Sequence, residues 1–265
     1  MRLAAQRRLI GVGIGILIVA APALAMSQAA DFDKAKTLQA AREHYYNLRT
    51  LGLSEVQAAI QPNWDVLLEG TNAAPSARTL LNNLHFRISI DAAGQLQLSH
   101  DGKAVPADQV EGVEKIFKGV NSSVTGFFRT WSIFLLTSPF PLPDSDYALE
   151  RIPNGFRFSQ RQNELDVTID TDNEFAITEI RAVAVDRTSS LKPALEKTPA
   201  GLVLKGYTAS SRGPDGRNTT TVQASLEYGT VSGLRLLRRV NLDVVFQGAA
   251  TKFEWLFTDY QVKMR

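Results

Sequence analysis

Residues 252–264 read Lys-Phe-Glu-Trp-Leu-Phe-Thr-Asp-Tyr-Gln-Val-Lys-Met, and this stretch decides the fold class. Aromatic side chains at Phe253, Trp255 and Phe257 alternate with mostly polar neighbours, and Tyr260 and Val262 resume the alternation one residue late. Because a strand sends successive side chains to opposite faces, this alternation predicts a β-strand with one apolar face. The one-residue slip predicts a β-bulge after Phe257.

The same alternation recurs along most of the chain. An early strand is predicted over Ser54–Gln61 and a hairpin over residues 84–98. A helix is the alternative for the first of these, because Ser54 and Gln57 have the spacing of a capping box. Eight later strands are predicted over residues 146–152, 156–161, 164–170, 175–185, 202–211, 219–228, 236–246 and 252–263. Short turn sequences separate most of them and predict an antiparallel meander, with Leu191–Ala200 as an irregular loop at the rim.

About eleven strands are too many for an open twisted sheet to stay flat, so the sequence predicts a curved sheet or half-barrel. Helical spacing over Asp31–Arg49, and again from Pro106 to Pro139, predicts helices on the concave face. The fold class is therefore α+β, mainly β. Gly112, Gly119 and Gly126 form a line along the long helix, which predicts close packing there; a bending or mobile helix is the alternative.

The first 25 residues resemble a cleavable export signal. A basic start precedes an apolar run over Leu9–Ala20, and small residues occupy Ala23 and Ala25, the two positions that a signal peptidase reads. An uncleaved membrane anchor is the alternative, but the run is short and rich in glycine. We expect residues 1–25 to be removed, residues 26–265 to form one domain, and the protein to be periplasmic.

Composition excludes several classes of function. Lys and Arg total 29 against 27 Asp and Glu, and three of the arginines lie in the signal, so the mature chain is nearly neutral and no nucleic-acid partner is expected. The chain has no cysteine, which excludes both disulfides and a lipid-modified N-terminal cysteine. We also expect a monomer.

No pattern of residues predicts catalysis. His44, His85 and His100 are the only histidines, and none has a second ligand at the spacing of a metal site. Neither a nucleophile elbow nor a phosphate-binding glycine loop occurs. We therefore expect no enzyme activity, no metal and no cofactor.

What remains is apolar surface that the fold would place face to face. The candidate residues for binding a hydrophobic ligand lie on the long helix and the last strand: Phe117, Val120, Val124, Phe127, Phe128, Trp131, Phe134, Phe253, Trp255 and Phe257. If their side chains fill the space between helix and sheet, they form a core. If they leave a gap, they line a pocket for acyl chains.

Three arginines form a small basic cluster at Arg235, Arg238 and Arg239. One interpretation is a charged edge or rim that discourages strand addition by another chain. The other is a docking patch for an acidic partner or a lipid headgroup.

The arrangement resembles the LolA/LolB-like superfamily of bacterial envelope carriers over about Asp33–Met264. The most similar parts are Asp146-Tyr-Ala-Leu-Glu-Arg151, Asn154-Gly-Phe-Arg-Phe158, Gly233-Leu-Arg-Leu-Leu-Arg-Arg-Val-Asn-Leu-Asp243 and Phe253-Glu-Trp-Leu-Phe-Thr-Asp-Tyr-Gln-Val262. Receptor members of the superfamily carry a lipidated cysteine that this chain lacks, so it is more similar to the soluble carrier. It is also longer than that carrier, with extra residues around 70–77 and 191–200.

The resemblance implies a hydrophobic cavity that binds acyl chains non-covalently, with helix movement as its gate. We therefore expect an exported carrier or sensor of a lipid or an acylated lipoprotein, with inner-membrane export machinery as a partner. The alternative is an envelope protein interaction module with a solid core and no ligand. Tightly interlocked rings that plug the hollow beneath the helix would overturn this interpretation of a carrier with its cavity there.

Overall fold

One curved antiparallel sheet dominates the computed structural model, which describes residues 33–69, 75–101, 110–162, 164–216 and 219–265. The helices in these residues are α1 (Lys34–Glu43), α2 (Trp64–Leu67), α3 (Pro75–Asn82) and α4 (Val110–Leu135). The strands are β1 (Leu53–Pro62), β2 (His85–Asp91), β3 (Leu96–Asp101), β4 (Ala148–Ile152), β5 (Gly155–Gln162), β6 (Leu165–Asp172), β7 (Ile177–Ala184), β8 (Arg187–Thr198), β9 (Gly201–Arg212), β10 (Thr220–Val231), β11 (Leu234–Phe246) and β12 (Ala249–Met264). The predicted export signal lies outside the described residues.

The strand order is β3-β2-β1-β12-β11-β10-β9-β8-β7-β6-β5-β4. Strands β4 to β12 are therefore sequential neighbours, as short turns between alternating strands predict, and β1 joins the N-terminal hairpin to the last strand. The sheet is not closed, since β3 and β4 lie at opposite edges. The predicted fold class, α+β and mainly β with a curved antiparallel sheet, is confirmed.

One strand was missed by the sequence pattern. Residues 191–200 do not form an irregular loop, because β8 covers most of them and pairs with β9 over residues 188–198. Pro193 made this stretch look unlike a strand, since proline has no N–H to donate. Strand β7 pairs with β8 only as far as Leu191, so within the described residues Pro193 lies where β8 has a single neighbouring strand, a position that tolerates proline.

The predicted bulge in the last strand is present. Gln57 of β1 lies opposite Gln261, whereas Ala59 lies opposite Thr258, so β12 has one residue more than β1 in this interval. Asp259, inside the bulge, has a φ of 52°. Trp255 and Phe257 before the bulge are buried, and the Tyr260 hydroxyl after it donates a hydrogen bond to the Leu237 carbonyl.

The first helix is shorter than the predicted Asp31–Arg49. It is capped by the Asp33 carboxylate, which accepts hydrogen bonds from the backbone N–H groups of Ala35 and Lys36, both at 3.1 Å. After Glu43 the backbone turns to the sheet: the Leu202 N–H donates to the His44 carbonyl and the Tyr46 N–H donates to the Leu202 carbonyl, both at 2.9 Å. These bonds to β9 replace the helical ones.

The long helix α4 packs its apolar stripe against the sheet, but its line of glycines does not pack against anything. A Cβ atom added at Gly112, Gly119 or Gly126 would meet no atom of the described residues within 4 Å outside the backbone of α4 itself, and all three residues are exposed. The prediction of close packing is therefore wrong. That α4 bends or moves stays a prediction. No helix in the described residues is long and apolar enough to cross a membrane.

Candidate functional site

The structure brings the aromatic stripe of α4 and the aromatic strand β12 together. The Phe127 and Trp255 ring centroids are 5.8 Å apart at an interplanar angle of 72°, and those of Phe128 and Phe257 are 5.9 Å apart at 81°. We call the face of the sheet that carries Trp255 and Phe257, and that packs against α4, the inner face.

These rings fill the space between α4 and the sheet. Trp131 packs edge-on against Phe128 at 5.4 Å. Eight of the ten candidate residues are buried, with at most 5% of each exposed: Val120, Val124, Phe127, Phe128, Trp131, Phe134, Trp255 and Phe257. Phe117 and Phe253 are half-buried. Edge-to-face contacts at these distances are typical of a packed core, so in this conformation the cluster is core and a ligand would reach it only if α4 moved.

The inner face continues past the aromatic cluster. Tyr207 of β9 marks the border, because its hydroxyl hydrogen-bonds the side chain of Thr130 on α4 and burial raises its pKa to about 12. Ala209 and Ser211 follow Tyr207 on β9 with the spacing of a single strand face. These two residues lead into an open hollow with a volume of about 220 Å³, which we call the inner-face trough.

Two rows of side chains, aligned by the strand register, line the trough across β7, β8, β9 and β10. The aliphatic row consists of Ile180, Leu191, Ala209 and Val222. The second row consists of Ala182, Ser189, Ser211 and Thr220, and we call it the hydroxyl row because three of its four side chains carry a hydroxyl. With neighbouring strands about 4.8 Å apart, the trough spans roughly 14 Å across the sheet.

Small side chains create the hollow. Ala182, Ala209 and two serines stand where larger residues would fill the space, while Leu191 and Val222 supply apolar surface. Ser189 Oγ donates a hydrogen bond to Ser211 Oγ at 3.2 Å, so these hydroxyls partly satisfy each other. No titratable side chain lines the trough within the described part of the chain. The trough can therefore hold an apolar group by contact but offers no acid or base for catalysis.

Sequence reasoning missed this trough. The sequence pattern predicts a loop at Leu191, and without a strand there the row of four neighbouring side chains across β7 to β10 cannot be predicted. The sequence nevertheless contains a signal for this strand. The apolar residues Leu191, Pro193 and Leu195 lie at every second position, with Lys192 between the first two, as in a strand.

The arginine cluster does not form a free basic patch. Arg235 is bound by Glu196 at 3.0 Å, and this hydrogen bond holds the pKa of Glu196 below its usual value. Arg239 lies 3.4 Å from Glu254. Arg238 is exposed and has no ion pair with a described residue. Strand β11 pairs with β10 over its whole length but with β12 only from Arg239 to Phe246, so Arg235 and Arg238 lie where β11 has one neighbouring strand among the described residues. The interpretation as a charged edge or rim therefore stays a prediction.

Neither relatives nor a metal site identifies the function. A comparison with models of known families, with curated proteins and with solved structures gives no match for this chain. No group of three or more potential metal ligands occurs among the residues that the structure describes. Function therefore has to be inferred from the fold and from the trough.

Proposed function

We propose that this protein is an exported protein of the bacterial cell envelope that binds the acyl chain of a lipid or lipoprotein non-covalently on the inner face of its sheet, as a carrier or sensor. The observation that carries the proposal is the inner-face trough, an open apolar hollow whose described lining residues include no titratable side chain. The signal-like first 25 residues and the resemblance to LolA/LolB-like carriers supply the location and the class of ligand.

The size of the trough limits what it can hold. Its 220 Å³ are below the roughly 300–1,000 Å³ of pockets that enclose a drug-sized molecule. It therefore suits a segment of one acyl chain. Burying four methylenes would contribute about 3 kcal/mol, enough for weak, reversible binding. Displacement of the aromatic cluster would allow more of the chain to be buried beneath α4.

Native mass spectrometry of the protein purified with its membranes tests the proposal. We expect a co-purifying lipid, or a bound hydrophobic dye that a fatty acid displaces. A protein that carries no lipid and takes up no displaceable dye would contradict acyl binding.

An engineered disulfide that fixes α4 tests whether this helix has to move before a ligand can bind. A Cβ atom built at Gly94 lies 3.4 Å from the Cβ of Ser132, close to the roughly 3.8 Å of a disulfide, and the chain has no other cysteine. Gly94 has a φ of 82°, which a side chain adopts only with strain, so the Gly94→Cys single variant is a necessary control. We expect Gly94→Cys/Ser132→Cys to bind a fluorescent fatty acid equally well when oxidised and reduced, because the trough is open with α4 in place. Loss of binding on oxidation, absent from either single variant, would show that the ligand enters beneath α4.

The second candidate function is an envelope protein interaction module without a ligand. It is favoured by the rings of Phe127, Phe128, Trp131 and Trp255, which are buried and pack edge-to-face beneath α4. Under this proposal the partner is export machinery of the inner membrane. Cross-linking in intact cells that captures such a partner, together with no lipid in the native mass spectrum, would favour this candidate over the carrier.

A further inference from the structure

We infer that the occupant of the inner-face trough is a fatty acid, and that Arg187 binds its carboxylate. This inference rests on the proposed function and names the ligand class that the trough would take. Three observations carry it: the position of Arg187, its lack of a partner, and the order of polarity along β8.

Arg187 stands at one end of the trough and on its face. It precedes Ser189 by two residues and Leu191 by four on β8, and it lies opposite Ala184 of β7. Because side chains two and four residues apart in a strand share a face, Arg187, Ser189 and Leu191 all lie on the inner face. At about 3.3 Å per residue, Arg187 is roughly 13 Å along the strand from the aliphatic row.

The guanidinium of Arg187 has no carboxylate partner among the described residues. Its side chain is exposed and forms no ion pair or hydrogen bond with a described residue. Arg187 shares this lack of a partner with Arg238, whereas two other arginines of the sheet have carboxylate partners: Arg157 binds Asp170 at 2.7 Å, and Arg235 binds Glu196 at 3.0 Å. An unpaired guanidinium is suited to bind a carboxylate through two parallel hydrogen bonds.

Polarity along β8 changes in the order that a fatty acid requires. The aliphatic row lies nearest the core, the hydroxyl row follows, and the cation stands at the solvent end. In the Ser189–Ser211 hydrogen bond only one of the two hydroxyl hydrogens is used, so the other can donate to a headgroup oxygen. No carboxylate lines the described trough to repel an anion. A single chain is favoured over a two-chain lipid because the volume is only about 220 Å³.

Calorimetric titration with dodecanoate and with dodecanol tests the inference, since these two probes differ only in the headgroup. We expect dodecanoate to bind the unmodified protein about tenfold more tightly than dodecanol, the effect of one charge-assisted contact. Arg187→Gln should remove that difference and leave dodecanol binding unchanged. Arg212→Gln is the matched control, because Arg212 lies opposite Thr188 and therefore on the other face of the sheet.

Equal binding of the two probes, or unchanged dodecanoate binding by Arg187→Gln, would overturn the inference and leave the proposed function standing. Tighter binding of dodecyl phosphate than of dodecanoate would overturn the assignment to a carboxylate. If the unmodified protein binds none of the three probes, the proposed function fails together with the inference.

Discussion

Replacing Trp131 by alanine is expected to lower the free energy of unfolding by about 3–5 kcal/mol. The side chain is 2% exposed and packs edge-on against Phe128, which in turn packs against Phe257 of β12. Truncation would leave a cavity between α4 and the sheet that neighbouring rings cannot fill without leaving their own contacts. Urea denaturation followed by circular dichroism measures the change.

Phe246→Ala is the matched control for this prediction. Phe246 is also an aromatic residue, at the end of β11, but it is 52% exposed. Its truncation should change the free energy of unfolding by no more than about 0.5 kcal/mol. If Trp131→Ala cost less than about 1 kcal/mol, the rings beneath α4 would not be the packed core of the domain.

Replacing Ala209 by tryptophan is expected to reduce acyl binding by roughly 100-fold. The indole would occupy the centre of the aliphatic row and displace three or four methylenes, each of which contributes about 0.8 kcal/mol when buried. Stability should change little, because the new side chain enters open space rather than the packed core. Displacement of a fluorescent fatty acid measures the affinity.

Thr208→Trp is the control, since it adds the same side chain one residue earlier on β9 and therefore on the opposite face. It should leave the affinity within a factor of two or so of the unmodified protein. Equal loss of binding in both variants would point to a general disturbance of the sheet. Undiminished binding by Ala209→Trp would exclude the trough as the binding site.

The alternation of apolar and polar residues predicted those strands that have one apolar and one polar face. Residues 252–264 alternate so regularly that both the strand and the bulge near Asp259 are readable from the sequence. The meander followed because short turns leave antiparallel pairing as the only connection between neighbouring strands. The apolar stripe of α4 was equally clear, since residues such as Val113, Val124 and Leu135 recur with helical spacing and are all buried.

The remaining features depend on distant pairing and on volume. Pro193 hid strand β8 in the sequence pattern. The strand tolerates this proline because β7 pairs with β8 only as far as Leu191, and a short stretch of sequence does not reveal where that pairing ends. The trough arises because the small residues Ala182, Ser189 and Ser211 meet in register from three strands. The sequence pattern also could not predict whether the aromatic residues of α4 and β12 form a core or a pocket, because the answer depends on how their rings pack together in three dimensions.

Where a bound chain lies is the most direct test of the account. A fatty acid that carries a nitroxide at its methyl end broadens the NMR signals of protein groups near the label. The account predicts the strongest broadening at the methyl groups of Leu191, Ala209 and Val222. Broadening centred on Val120 and Val124 beneath α4, or on Val245 of the opposite face, would contradict it.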